Sequence, residues 1–451
     1  MRTAVIGAGL AGLSAAHQLA ARGRRVVLFE RADAVGGLAR GFEIGGQSLE
    51  RYYHHIFTHD RTFQAYVDSL GLADQLEWWP SRMGVVGRRD RLHPFTTPLD
   101  LLRFPDLDPL SRLRFGWGVF RARAIKDYRE LEHRTAASWL IEVFGQAGYQ
   151  TIWRPLLAGK FGHHAKDISA VWMWKKIALR GDSRDGRREQ ERLGYVRDGF
   201  QTFHEALAQS CRDSGVEIRL GARVTQLAQN RGHWTIFCEE QAYPDFDQVL
   251  VTSPPRVAQH LAEPFLSADE QRRLANLRFQ GAIVAVLQLD RPLSHYYWLN
   301  VNAEGFPFGG VIEHTNLIPP ERYGGAHIVY LSRYIEPDAP LFHASNDDVL
   351  EQFVAALPRI NPTFDRRWVK EAWVFRDAFA QPVIPCGYRD EMPPMATSAP
   401  GLFLANMSHI YPEDRGMNYA LALGMQASEL MLTERHAIVP ATSSENTAFV
   451  P

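Results

Sequence analysis

Short apolar runs flank a helix-like repeat at the beginning of the chain. Residues 3–6 (TAVI) and 25–29 (RVVLF) each predict a short buried strand. Between them, residues 12–22 repeat apolar side chains every three or four positions, which predicts a helix with one apolar face. A strand, a helix and a second strand in this order form a unit of two parallel strands joined by a right-handed crossover.

Further segments with strand or helix patterns follow in the centre and at the end of the chain. Helices are predicted over 200–210, 347–357 and 416–432, and strands over 216–237 (three pieces), 247–252, 281–289, 326–332 and 401–406. The polar residues 181–192 predict an exposed loop, and residues 436–451 a disordered tail.

Pieces of one parallel-sheet pattern therefore occur at the start, centre and end of the chain. We expect an α/β, doubly wound, Rossmann-like domain interleaved with a mixed α+β domain. The predicted boundaries are 1–78, 195–255 and 390–435 for the first domain, and 79–194 and 256–389 for the second.

Composition narrows the class of protein. The 451 residues are 45% hydrophobic and carry a formal net charge of −1, so no basic excess favours a nucleic-acid partner. The three cysteines are far apart, which excludes a disulfide framework and a cysteine zinc site and fits a reducing cytoplasm. No apolar run is long enough to predict a membrane span. The apolar run over 3–20 is broken by glycines, so the sequence does not predict a signal peptide there.

A glycine motif follows the first predicted strand and opens the first helix. It reads Gly7-Ala8-Gly9-Leu10-Ala11-Gly12. Its glycines allow a tight turn, a close approach of a pyrophosphate and close packing of helix on strand, and the helix N-terminus attracts phosphate. Glu30 ends the second strand, where a carboxylate binds a ribose diol. These features together predict a dinucleotide site.

A second glycine segment, Gly36-Gly37-Leu38-Ala39-Arg40, follows Glu30 and Arg31. It resembles the second glycine motif of the flavin-containing amine oxidase, protoporphyrinogen oxidase and phytoene desaturase superfamily. The resemblance implies an FAD cofactor, with this segment against its pyrophosphate and Arg40 as the basic partner. Arg31 is a further candidate contact.

The resemblance continues in two later segments. Residues 216–237 resemble the segment whose valine holds the adenine, which makes Val224 the candidate. Residues 401–424 resemble the closing motif, in which a helix N-terminus faces the flavin ring. The candidates there are Arg415, Gly416, Met417 and Asn418. Asn406 stands where the family commonly has an acidic residue, and Asp414 is the alternative for that contact.

Five side chains are candidates for catalysis or substrate binding: His54, His55, Lys160, Arg376 and Tyr411. On a strand the two histidines point to opposite faces, so one faces the substrate as base or donor and the other packs elsewhere. Lys160 either holds a water near the flavin or is a surface lysine. Arg376 either binds an acidic group of the substrate or forms an ion pair within the protein. No third ligand accompanies the two histidines, so no metal site is predicted.

The resemblance implies an FAD-dependent oxidoreductase that transfers a hydride from a small organic or lipid-like substrate to flavin N5. No second GxGxxG motif indicates a separate NAD(P) domain. One alternative is a redox-neutral flavoenzyme of the UDP-galactopyranose mutase type, acting on a nucleotide- or lipid-linked sugar. Another is a binding module related to Rab escort proteins. Residues 99–126 mix Leu, Phe and Trp with Arg, which predicts either a peripheral membrane contact or a helical core.

Overall fold

The computed structural model describes residues 1–182 and 191–434. The strands are β1 Arg2–Ile6, β2 Arg25–Phe29, β3 Gly41–Ile44, β4 Gln47–Glu50, β5 Ile56–Phe57, β6 Leu76–Pro80, β7 Met83–Val86, β8 Leu92–Pro94, β9 Arg192–Val196, β10 Glu217–Arg219, β11 Val224–Asn230, β12 His233–Cys238, β13 Gln241–Phe246, β14 Gln248–Val251, β15 Phe279–Leu289, β16 Trp298–Val301, β17 Gly310–Glu313, β18 His327–Ile335, β19 Val369–Pro382 and β20 Leu402–Leu404. The α-helices are α1 Leu10–Ala21, α2 Arg61–Ser69, α3 Pro98–Leu102, α4 Pro109–Ala124, α5 Ala136–Gly148, α6 Arg154–Phe161, α7 Ala170–Asp182, α8 Phe200–Asp213, α9 Pro255–Ala262, α10 Ala268–Asn276, α11 Pro340–His343, α12 Asn346–Ala355, α13 Tyr388–Glu391 and α14 Met417–Thr433. Most of the predicted loop over 181–192 and the predicted tail over 436–451 lie outside the described residues.

The predicted parallel sheet is present and has five strands in the order β10-β2-β1-β14-β20. Every neighbouring pair in it is parallel, with Val5 of β1 opposite Leu28 of β2 and Leu250 of β14. Because β1 is central and the chain adds strands on both sides of it, the sheet is doubly wound as the sequence predicts.

Side chains alternate between the two faces of this sheet, and each face is covered. Val5 and Leu28 pack with α1, α8 and α14, whereas Ala4 and Val27 pack with the antiparallel ribbon β11-β12-β13. Helices α1 and α14 lie so close that a Cβ on Gly424 would stand 2.2 Å from the carbonyl oxygen of Ala11. This packing holds the N-termini of both helices near the same edge of the sheet.

A second sheet has seven strands in the order β19-β15-β18-β17-β16-β7-β8. All its pairs are antiparallel except β7 with β16. Strands β7 and β8 were not predicted, because runs of three and four residues show too little periodicity to identify. The predicted domain boundaries stay a proposal.

Helices α3 to α7 lie between β8 and residue 182. None of the helices in the described part of the chain combines the length and the apolar character needed to cross a bilayer.

Candidate cofactor cradle and active site

The two glycine segments face each other across a gap that contains no side chain. Gly7 has a φ of +107°, which favours glycine, and its N–H donates to Phe29 O at 2.8 Å. The N–H of Gly36, at φ +114°, donates to Ala8 O at 2.9 Å. A Cβ on Gly37 would stand 3.1 Å from the Cα of Gly9. We call these two facing turns the glycine cradle. Any side chain at its centre would fill the space between the turns.

The remaining residues of both motifs build the walls of the cradle. A Cβ on Gly12 would stand 1.9 Å from the carbonyl oxygen of Gly7, so this glycine is needed for packing. Leu10 and Ala11 form the first turn of α1, whose free N–H groups and partial positive charge face the cradle. Leu38 and Ala39 belong to a 3₁₀ helix, Gly37–Ala39.

Glu30 and the start of β11 flank one end of the cradle. The carboxylate of Glu30 accepts hydrogen bonds from the N–H groups of Ala8 at 2.8 Å and Ala32 at 2.9 Å. The N–H of Ala222 donates to Glu30 O at 2.8 Å, so Val224, two residues on, begins β11 beside this strand end. The arrangement holds a carboxylate with spare acceptor capacity where the sequence predicts the ribose.

Two arginines stand near the second glycine segment. Arg40 donates to Asp33 at 2.8 Å, and burial followed by the neighbouring charge of Arg40 lowers the pKa of Arg51. The Nε of Arg51 has no hydrogen-bond partner within residues 1–182 and 191–434. Two cations held together this closely suit a diphosphate. The charge of Arg31 opposes the rise that burial causes in the pKa of Asp377 of β19. The contact of Arg31 with the cofactor stays a prediction.

The start of α14 places the predicted closing motif. Gly416 precedes the helix, Met417 and Asn418 are buried, and the side chain of Asn418 accepts from the N–H of Phe63 at 3.0 Å. The side-chain oxygen of Asn418 is therefore engaged within the fold, and its contact with the cofactor stays a prediction. Arg415 donates to the hydroxyl of Tyr334 at 2.5 Å.

Asn406 caps the 3₁₀ helix Met407–His409. Its Oδ1 accepts from the N–H and the hydroxyl of Ser408, at 3.1 Å and 2.6 Å. Its Nδ2 is buried and has no partner in the described part of the chain. The side chain thus offers a free N–H donor, in contrast to the acceptor that an acidic residue would provide at this position.

Lys160, Lys176, Asp414, Arg415 and His54 form a buried group that we call the Lys160 cluster. Asp414 is its centre, with Lys160 Nζ at 3.4 Å and Lys176 Nζ at 2.6 Å from Oδ2. Its Oδ1 accepts at 3.0 Å from the indole of Trp172 and from the amide of Gln381. Asp414 therefore joins α6, α7 and β19 to the start of α14, and its carboxylate is used here rather than on the cofactor.

Burial and neighbouring charges set the protonation of this cluster. Burial alone raises the pKa of Asp414, but Lys160, Lys176 and Arg415 together hold it well below its usual value. Burial lowers the pKa of Lys160 to about 8, against the opposing effect of Asp414. Lys160 and Asp414 lie deep in the protein, yet 14% and 17% of their side-chain surface is accessible. Most of the surface of both side chains is therefore covered, and Lys160 is not the surface lysine that the sequence left open.

His54 and His55 point in different directions, although residues 53–55 do not form the predicted strand. His54 Nδ1 lies 2.5 Å from Tyr52 O, and burial followed by the charge of Arg415 lowers its pKa to about 4. His55 Nδ1 instead lies 3.0 Å from the hydroxyl of Tyr297. The irregular backbone, and not strand alternation, directs only His54 toward the cluster.

Arg376 and Tyr411 lie outside the cluster. The guanidinium of Arg376 donates to Asn346 at 2.6 Å and to Ala344 O at 2.8 Å, across the sheet face that α12 covers. The hydroxyl of Tyr411 donates to Glu132 at 2.6 Å. Both side chains connect elements of the fold, and the catalytic or binding roles that the sequence suggests for them stay predictions.

A cavity of 1250 Å³ adjoins the cluster. Tyr334, the partner of Arg415, lines it, as do Gly159 and Gly162 on either side of the Lys160–Phe161 pair. Its wall also carries the arginines Arg88, Arg89, Arg154, Arg333 and Arg359. Arg359 is paired with Asp90 at 2.8 Å. The cavity thus offers room for a small molecule, and its wall carries these arginines together with the carboxylates of Asp90, Asp106, Glu304 and Glu336.

Sequence reasoning missed Tyr334, Trp172, Lys176 and Gln381, which lie on three separate elements. Asp414 was noted only as an alternative cofactor contact. The sequence did place Asp414 just before the closing helix. This position could have identified it, because a residue there lies near the group that the helix N-terminus faces.

A doubly wound sheet with a glycine cradle, a strand-end carboxylate and a second helix N-terminus defines a dinucleotide-binding protein. The chain belongs to the flavin-containing amine oxidoreductase family, whose model matches residues 10–432. This family consists of FAD-dependent oxidoreductases, and FAD is the cofactor that the cradle fits. The glycine cradle, Glu30, the two arginines and the Asn406 donor are the residues that would hold its pyrophosphate, ribose and polyol.

Curated relatives are distant and longer. Coproporphyrinogen III oxidase of Staphylococcus aureus (strain NCTC 8325 / PS 47) is 21% identical over 285 residues, covering 56% of this chain and 60% of the relative. Phytoene dehydrogenase of Streptomyces griseus is 25% identical over 363 residues, covering 69% of this chain and 64% of the relative. The chain thus spans about six-tenths of the length of the curated relatives it matches.

Solved structures share the whole fold. An oxidoreductase from Methanosarcina mazei superposes with a TM-score of 0.73 at 18% identity, covering 95% of this chain and 100% of the other. Reduced UDP-galactopyranose mutase superposes with a TM-score of 0.73 at 17% identity, covering 97% of each chain. These likenesses confirm the predicted α/β fold.

Proposed function

We propose that this chain oxidises a small organic or lipid-like molecule by hydride transfer. A C–H bond of the substrate breaks with its electron pair leaving as hydride, a proton leaves the adjacent atom, and a new double bond forms. FAD, when bound, supplies the hydride acceptor and passes the electrons to oxygen or a quinone. The observation that carries the proposal is the Lys160 cluster, which lies between the 1250 Å³ cavity and the start of α14.

In this proposal Lys160 accepts the proton. Its pKa of about 8 gives a sizeable neutral fraction near neutral pH, whereas an ordinary lysine has almost none. Asp414 orients the amine, and Trp172 and Gln381 hold Asp414 in turn. Such a chain of contacts fixes the position of the proposed proton acceptor.

Arg415 and the start of α14 would stabilise negative charge as it develops. The helix N-terminus has a partial positive charge, and Arg415 adds a full charge that Tyr334 holds in place. His54 stays neutral because its pKa is about 4, so it adds no competing cation at this end of the cavity.

The variant Lys160→Met tests the proposal. We expect it to retain FAD but to slow substrate oxidation by about 100- to 10,000-fold, the usual contribution of a general base. In the wild-type protein the rate should rise with pH up to about 8 and then level off, because only neutral Lys160 accepts a proton. The variant should lose this rise.

The measurement is anaerobic bleaching of the flavin absorbance by a panel of amines, cyclic compounds and polyene lipids, across pH 6 to 10. The exposed Lys126→Met serves as the matched control, since it removes a lysine outside the cluster. If Lys160→Met oxidises the same substrate at an unchanged rate with an unchanged pH profile, the proposed role of Lys160 is wrong.

A redox-neutral reaction on a nucleotide- or lipid-linked sugar is the second candidate. The arginines that line the cavity favour it, because a diphosphate needs several such groups. The chemically reduced protein would then convert a UDP-sugar into its isomer without net oxidation. Turnover of that kind, together with no bleaching by any panel member, would replace the first proposal with this one.

We also propose that helices α3 and α4 contact an anionic membrane surface. Leu110, Leu113, Trp117 and Phe120 lie on one face of α4 and are each at least 60% exposed. Leu99 and Leu102 of α3 are exposed as well. We call these six side chains the α4 patch. The helix carries four arginines and no acidic residue, which suits a lipid surface of negative charge.

A further inference from the structure

Two histidines and a glutamate meet at the rim of the cavity, apart from the Lys160 cluster. His163 and His164 belong to the 3₁₀ helix Gly162–Lys166, and Glu336 follows β18. One ligand atom from each of the three residues lies within 4.8 Å of the other two. The proposed reaction gives these residues no role.

The spacing of these atoms matches a metal site. His163 Nδ1 lies 3.4 Å, and His164 Nε2 3.3 Å, from the same oxygen of Glu336. A tetrahedral zinc ion with ligands at about 2.0–2.1 Å keeps neighbouring ligand atoms about 3.3–3.4 Å apart. Two edges of the required tetrahedron are therefore already present.

Surrounding residues fix the glutamate. The amide of Gln280, which is almost fully buried, donates to the same oxygen of Glu336 and to Phe161 O. A hydrogen bond of this kind orients a metal-binding carboxylate. His164 is buried, whereas 68% of the His163 side chain is exposed, so the site is closed on one side and open on the other.

We propose that His163, His164 and Glu336 bind a divalent transition-metal ion of the zinc class. Two imidazoles and one carboxylate favour zinc, nickel or copper over calcium and magnesium, which prefer oxygen ligands only. His163 and Glu336 line the 1250 Å³ cavity, and His164 and Glu336 line a neighbouring cavity of 340 Å³. The fourth coordination position therefore opens to a space that holds water or a small molecule.

Zinc titration of the FAD-loaded protein tests this site. The protein carries no polyhistidine tag and is dialysed against EDTA before calorimetry with zinc chloride. We expect one equivalent to bind, and His163→Ala and Glu336→Gln each to weaken binding at least tenfold. His343→Ala, which removes an exposed histidine elsewhere, should leave binding unchanged.

His163→Ala is the decisive variant because its exposed side chain is not needed for folding. The flavin spectrum and the melting temperature without zinc check that each variant is folded. X-ray absorption of the zinc complex should show two imidazole nitrogens and oxygen ligands at about 2.0–2.1 Å. The proposal is overturned if wild-type protein binds no zinc at micromolar concentration, or binds it equally well after His163→Ala and Glu336→Gln.

Discussion

Lys160 and Asp414 show how one buried contact changes two side chains in opposite ways. Burial disfavours charge on both, but three cations surround Asp414 and only one carboxylate directly contacts Lys160. The acid consequently stays ionised, while the amine becomes a weaker base with a pKa of about 8. A lysine that changes protonation near physiological pH is the property on which the proposed chemistry depends.

Glu50 provides a test of burial at a single residue. Burial raises its pKa from 4.5 to about 7, although the Phe200 N–H and the Tyr195 hydroxyl donate to its carboxylate. Between these two pH values the folded protein keeps a proton that the unfolded chain has lost. This group therefore makes the free energy of unfolding fall as pH rises from about 4.5 to about 7.

In the wild-type protein, Glu50 should lower the free energy of unfolding by roughly 2–3 kcal/mol between pH 5 and pH 8. We expect Glu50→Gln to lack this decrease, because glutamine does not ionise. Urea unfolding at pH 5 and at pH 8 measures it, and the variant should gain stability relative to wild type at pH 8. The exposed Glu43→Gln is the matched control. Equal pH dependence of unfolding in Glu50→Gln and wild type would contradict the assignment.

At the scale of elements, the glycine cradle separates glycines needed for packing from those needed for the cofactor. Gly12 lies against the carbonyl of Gly7, where a Cβ would stand at 1.9 Å. Gly9 has an ordinary φ of −70°, and its nearest neighbour would be the Cα of Gly37 at 3.9 Å. An added methyl therefore fits at Gly9 only when no cofactor lies there.

We expect Gly12→Ala to destabilise the FAD-free protein by about 1–3 kcal/mol through overpacking. Gly9→Ala should leave that stability unchanged but weaken FAD binding at least tenfold. Thermal unfolding without FAD and fluorescence titration with FAD measure the two effects. Gly116→Ala, which has no atom within 4 Å of its added methyl, is the control. Normal FAD affinity in Gly9→Ala would show that the cofactor does not cross the cradle here.

At the scale of the whole molecule, exposed large apolar side chains are concentrated on one surface. Six of the ten that the described residues expose belong to the α4 patch. The opposite face of α4 is anchored, since Phe115 and Gly118 pack against Phe144 of α5. The patch is therefore a fixed surface and not the result of a poorly packed helix, and a large fixed apolar patch marks an interaction site.

We expect the double variant Trp117→Ser, Phe120→Ser to lower the affinity for vesicles at least tenfold, because each aromatic ring leaves water on binding. Co-sedimentation with phosphatidylcholine vesicles, with and without phosphatidylserine, measures this. Binding by the wild type should need the anionic lipid and weaken with salt. Leu220→Ser, at an exposed position elsewhere, is the control. Failure of the wild-type protein to bind either kind of vesicle would refute the membrane contact.

The sequence by itself determined the parallel sheet and the cofactor cradle. Strands β1 and β2, helix α1, Glu30 and the two glycine segments lie close together in the chain, so local periodicity and glycine spacing were sufficient. Only the tertiary structure decided the candidate active site, because Lys160, Lys176, Asp414 and His54 come from segments far apart in the chain. Tertiary packing likewise directed Arg376 and Tyr411 to other partners, and it brought Glu336 to His163 and His164. Contacts between residues so far apart in the chain depend on how the helices and sheets pack against each other. The order of hydrophobic and polar residues along the chain does not contain that information.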